Sequence, residues 1–143
     1  MLNGPNLNLL GTREQEIYGR ETLGEIESAV RARARESGRE TIFRQSNREG
    51  EIVDWIQEAR EAASAVILNA GGYSHTSIAI LDACRALAIP LIEVHLSNPF
   101  AREPYRRHSF VSEAAKGVIC GFGAAGYLLA LDALAAMVKA DQR

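Results

Sequence analysis

Five short β-capable runs alternate with helical stretches along this 143-residue chain, and that alternation constrains the fold more than any other feature. Residues 1–3 read as the tail of a strand, which Asn3-Gly4-Pro5-Asn6 turns out of the sheet. Thr22 with Glu25 forms a capping box, and Leu23, Ile26, Val30 and Ala34 mark the core side of a helix that stops near Gly38. A short strand is predicted at 41–44. Ser46 with Glu49 then reads as a second capping box, opening a helix whose apolar face is Ile52, Trp55 or Ile56, Ala59 and Ala63. A buried strand at 65–68 ends in Asn69-Ala70-Gly71-Gly72, and a helix predicted over about 75–87 is stopped by Pro90. The Leu91 strand follows, and a last strand at 117–120 leads into an Ala/Leu-rich helix over about 124–140.

Strand and helix alternating five times argue for a parallel sheet wound by right-handed crossovers, with helices on both faces. At this length a flavodoxin-like α/β domain fits, five strands in the order 2-1-3-4-5, and one domain is expected over 1–143. Ligands of such sheets bind beyond the carboxyl ends of the strands, at the switch point between the first and third. Asn6, Asn69, His75, His95 and Ser97 all fall there. The first strand is short for a central position, so residues preceding Met1 are expected.

Residues 7–19 show no sustained period and lie between Gly11 and Gly19. This predicts a mobile lid loop over about 11–20 that carries Arg13 and Tyr18. Residues 91–107, LIEVHLSNPFAREPYRR, place Glu93 and His95 two apart on a strand, hence on one face, before a loop with Arg102, Arg106 and Arg107. Unpaired buried charge is costly, so this pair reads as a strand-end acid feeding an anion-binding loop. The plain alternatives are a core histidine satisfied by a carbonyl and a solvated arginine pair. A phenol ionises near pH 10, so a phenolate at pH 7 costs about 4 kcal/mol. One guanidinium about 4 Å away returns roughly that much before desolvation, so Tyr18 would need two, such as Arg13 and Arg102.

Several classes are disfavoured. The formal charge is -2 and only two of the 16 cationic residues are lysines, so neither a nucleic-acid nor a membrane-binding bias is present and arginine supplies the anion chemistry. Gly121 to Gly126 matches GxGxxG, but on the last βα turn with no acidic residue on a following strand, so close helix packing is the better reading. His75, Asp82 and Ser74 or Ser77 lack a nucleophile elbow. His75, His95 and His108 lack metal-ligand spacing, and no cofactor is implied. Cys84 and Cys120 read as buried reduced thiols, and with neither a signal peptide nor an 18-residue apolar span the protein is expected to be cytoplasmic. Lys116 and Lys139 are poorly placed for a Schiff base. A non-catalytic nucleotide- or flavin-binding module is the alternative from another class, and it leaves the Arg13–Tyr18 lid without a purpose.

The segments from Asn3 to Gly11, Arg13 to Gly19, Arg44-Gln45-Ser46, Ile67 to Gly72 with His75-Thr76-Ser77, Ile92 to Asn98 and Arg102 to Ser109 together resemble the type II 3-dehydroquinate dehydratases. The resemblance covers essentially the whole chain. It implies a dodecamer of four trimers, no cofactor, and dehydration of 3-dehydroquinate to 3-dehydroshikimate, in aromatic biosynthesis or in quinate breakdown. It also implies Tyr18 as proton acceptor, His95 as proton donor and Arg13 as support for the phenolate and transition state. Asn69, His75, Leu96, Ser97 and Arg106 would bind substrate, with Asp82 assisting from a neighbouring subunit. Chemistry adds Asn6 as a donor for the enolate, His95 for the leaving hydroxyl, and the Leu96-Ser97 amides for the carboxylate. His75 and Asp82 on one helix would lie about 10.5 Å apart along its axis, too far for one small substrate. Gln15 stands where the family usually has proline, which predicts a looser lid.

Overall fold

The computed structural model describes residues 1–141, and side chains through Met137. Five parallel strands form one sheet in the order β2-β1-β3-β4-β5, the flavodoxin-like order expected. They are β1 (Leu2–Asn3), β2 (Arg44–Gln45), β3 (Val66–Asn69), β4 (Leu91–His95) and β5 (Gly117–Cys120). Helices α1 (Gln15–Tyr18), α2 (Leu23–Glu36), α3 (Glu49–Ala62), α4 (Ile78–Arg85) and α5 (Ala125–Asp141) connect or follow them. Among the described residues no helix is long and apolar enough to cross a membrane.

The sheet has a core on each side. On one, Ile52 and Ile56 of α3 and Ile80, Ala83 and Cys84 of α4 pack against Leu2, Leu68 and Leu91. On the other, Ile26 and Val30 of α2 and Tyr127, Ala130 and Leu134 of α5 pack against Ile67, Ile92 and Val94. Strands β3 and β4 are buried at every residue, the pattern of central parallel strands. The Thr22–Glu25 capping box forms with both of its hydrogen bonds.

Local structure departs from expectation in four places. The second strand is two residues long and starts at Arg44, because its register is set by pairing of Arg44 with Leu2 and Gln45 with Asn3. Ser46 and Glu49 form no capping box. Arg48 is the N-cap without a side-chain bond, while Ser46 donates to the Glu51 carboxylate and accepts from the Arg48 backbone N–H. The helix expected from His75 begins instead at Ile78, where Ser77 caps the Ile80 N–H, and a 3-10 turn over Gly71–His75 precedes it. His75 is thus freed from the helix and turned toward the sheet end, so the helical-rise argument relating it to Asp82 does not apply. The stretch expected to be a lid contains one helical turn, α1, entered through Glu14 at φ 41°. Cys84 is buried, but Cys120 is only half-buried, because β5 is an edge strand.

Two glycines bring backbones together. A Cβ on Gly4 would meet the Ala70 carbonyl oxygen at 2.3 Å, so the β1 and β3 exits run side by side only with glycine there. At Gly126 a Cβ would touch Val94 and Ile119, which gives the GxGxxG stretch a packing role against the sheet.

Candidate active site

The carboxyl ends of β1, β3 and β4, the lid and the loop after β4 enclose a cavity of about 200 Å³. Asn6, Arg13, Tyr18, Asn69, His75, His95, Leu96, Ser97, Arg102 and Arg106 line it. It lies at the switch point between β1 and β3, where a doubly wound sheet binds its ligands. The fold therefore gathers side chains from five separate stretches of sequence into one wall.

On the β4 side, His95 Nε2–H donates to Glu93 Oε1 at 2.6 Å. This bond leaves Nδ1 as the ring nitrogen available to the cavity. Glu93 itself is fully buried. Burial alone would push its carboxyl up, but hydrogen bonds from His95, Ser109 and Ser112 together hold it below the usual carboxylate range. His75 stacks near-parallel on His95 with centroids 6.2 Å apart, and His75 Nδ1–H donates to the His108 carbonyl at 2.7 Å.

On the lid side, Tyr18 closes the cavity from α1. Its hydroxyl oxygen accepts from Arg102 Nη1 at 2.9 Å and from Arg13 Nη2 at 3.4 Å. Both guanidiniums also sit over its ring, at 5.2 and 5.1 Å from the centroid. Arg13 is shared with Glu14 at 2.9 Å, whereas Arg102 also donates to Ser97 Oγ at 3.2 Å. Gln15 ties back to the Gly11 carbonyl at 2.7 Å, so the residue in the proline position tethers the turn through its side chain.

The floor is polar and closed. Asn69 Nδ2 donates to the Tyr127 hydroxyl at 3.0 Å, and Tyr127 donates to Asn3 Oδ1 at 2.6 Å. Asn3 Nδ2 in turn donates to the Arg44 carbonyl, which fixes the polarity of the whole chain of bonds. At the rim, Arg106 is held by Glu103 at 2.8 Å. Among the described residues neither the Leu96 nor the Ser97 backbone N–H has an acceptor, so both donors at the end of β4 remain free for a ligand.

The arrangement can bind a small oxygen-rich anion and place a phenol and an imidazole on opposite sides of it. Asp82 stands apart, exposed on α4 and away from the cavity lining. Glu93 does not line the cavity either and reaches it through His95. Among the described residues no group of three or more His, Cys, Asp or Glu could hold a metal ion. Sequence reasoning missed Asn3 and Tyr127, which support Asn69, and Ser109 and Ser112, which support Glu93. The one available signal was Glu93 itself, since a carboxylate in a buried strand demands donors from elsewhere.

The family model described as dehydroquinase class II matches residues 1–135. The chain belongs to the class II dehydroquinase family. It is 59% identical over 139 residues to the 3-dehydroquinate dehydratase of Phenylobacterium zucineum, covering 97% of this chain and 96% of that one. It is 57% identical over 140 residues to the 3-dehydroquinate dehydratase of Caulobacter vibrioides, at 98% and 96% coverage. Among solved structures, the type II dehydroquinase of Propionibacterium acnes matches with a TM-score of 0.91 at 44% identity, over 94% of this chain and 93% of that one. The class II dehydroquinase fold is thus shared along nearly the whole length.

Proposed function

We propose that this chain is a 3-dehydroquinate dehydratase that removes water from 3-dehydroquinate by anti elimination through an enolate, with Tyr18 as base and His95 as acid. The observation that carries this reading is the pair of guanidiniums on the Tyr18 hydroxyl, across one cavity from the Glu93–His95 pair. Family membership and the names of its relatives support the substrate.

The chemistry follows from what each group can do. Arg13 and Arg102 stabilise the phenolate, which takes the proton α to the ketone. The electron pair moves onto the carbonyl oxygen, where Asn6, directly or through a water, is the donor for the enolate. His95, as an imidazolium held by Glu93, protonates the leaving hydroxyl, and the electron pair returns to form the conjugated double bond. A base on the lid and an acid on the sheet favour the anti course. The free Leu96 and Ser97 amides, with Arg106, suit the carboxylate, and Asn69 and His75 suit the ring hydroxyls.

The lid, over about residues 11–20, opens to admit substrate and closes to complete the Arg13–Tyr18–Arg102 contact. The assembly we propose is a dodecamer of trimers, in which Asp82, exposed on α4, serves the site of a neighbouring subunit. Addition of 3-dehydroquinate to the protein should produce a rise in ultraviolet absorbance from the conjugated enone. No rise would overturn the reading.

A further inference from the structure

Glu93 lies near the end of a central strand, fully buried, and its carboxylate is served by three side chains. Oε1 accepts from His95 Nε2 at 2.6 Å and from Ser109 Oγ at 2.5 Å, and Oε2 accepts from Ser112 Oγ. Ser109 Oγ in turn accepts from the Ser112 backbone N–H at 3.3 Å, which leaves its own proton committed to the carboxylate. Cys84 on α4 and Cys120 on β5 face the same group, and both thiols are pushed up by burial and then by the Glu93 charge. They stay protonated and add no competing negative charge. His75 stacks on the far side of the His95 ring, committed through Nδ1–H to the His108 carbonyl.

A buried carboxylate stripped of two donors either takes up a proton or turns away. Each outcome removes the acceptor that keeps the His95 proton on Nε2 and that supports its imidazolium. We propose that Ser109 and Ser112 are positioning residues for the acid: they hold Glu93 as an ionised, oriented acceptor and through it keep one proton on His95 Nε2, so that the proton the imidazolium gives up is the one on Nδ1, turned to the substrate. The pair lies just beyond Arg102 and Arg106, so the segment that carries the anion-binding arginines is fastened beneath the acid. Anion binding at the rim and readiness of the acid are thereby built on one stretch of chain. The proposal rests on the reading of His95 as proton donor.

The test compares wild type with Ser109→Ala, Ser112→Ala and the double variant, with Ser109→Thr and Ser112→Thr retaining the hydroxyl. Two readouts are taken: the ¹⁵N signature of the imidazoles in histidine-labelled protein, and kcat and KM on 3-dehydroquinate. Wild type should show a proton fixed on His95 Nε2 wherever the ring is neutral, and on both nitrogens where it is charged. The alanine variants should show a tautomer mixture and a kcat lower by roughly 10- to 100-fold with KM within about threefold, and the threonine variants should restore both. An unchanged His95 signature in both single alanine variants would overturn the proposal, and the single variants decide it even where the double variant does not fold. A raised KM with kcat and signature preserved would also overturn it, because that is the result of a loop anchor alone. Wild type inactive on 3-dehydroquinate would defeat the proposed reaction instead, and the imidazole signature would still report on the serines.

Discussion

The two sides of the cavity are built by opposite means. His95 projects from a central strand, is almost wholly buried, and is held by a carboxylate that is itself bonded to three donors. Tyr18 sits on a single helical turn, half-exposed, and is held by one guanidinium from its own loop and one from another. The proposed acid is therefore part of the core, and disturbing it should disturb stability. The proposed base is assembled from loops, so disturbing it should affect turnover while leaving the fold alone.

The sharpest way to break that contrast is to remove each group in turn. Tyr18→Phe and His95→Ala should each lower kcat by roughly 100-fold or more. Only His95→Ala should also lower the melting temperature, since it leaves Glu93 short of a donor. Equal melting temperatures for the two variants would erase the distinction. Glu93→Gln should destabilise the protein by about 3 kcal/mol, because it unpairs a buried network. The sign of its pH dependence follows from a carboxyl held below its ordinary value. The stabilisation is present above the unfolded value of about 4.3 and is lost as pH falls through the folded value. The gap in melting temperature between wild type and Glu93→Gln should thus be widest near neutrality and close in acid below about pH 4.

Smaller effects belong to the two loops that hold Tyr18. Arg102→Ala should lower kcat about tenfold with stability unchanged, in keeping with a charge-assisted hydrogen bond of about 1.5 kcal/mol. Gln15→Ala frees the Gly11 carbonyl and should change kcat by no more than about threefold, with the melting temperature nearly constant. A large loss of stability in either variant would show that these loops are part of the core after all.

The same contrast explains what was legible in the residues. Strands β3, β4 and β5 and helix α2 carry their pattern locally, in apolar runs and a capping box, and fall close to where they were expected. Strands β1 and β2 are two residues each and exist because neighbours pair with them, so their bounds are set by tertiary register. The turn α1 is too short to display a period. Glu93 and His95 announce themselves as polar groups in an apolar run, and the two arginines beside Tyr18, one on each loop, follow from the energetic needs of a phenolate. Ser109, Ser112 and Tyr127 carry no comparable signal. A serine in a loop looks solvated and a tyrosine in an Ala/Leu-rich helix looks like packing, until the fold reveals which buried atom each one serves.

The link from Asn69 through Tyr127 to Asn3 fastens the last helix to the cavity floor. Helix α5 is the final element of the described chain, so the floor is unfinished until that helix docks. In a nascent or fragment-complemented protein, turnover should therefore appear only when the C-terminal helix has seated. Enzymatic activity would then serve as a clock for completion of the fold.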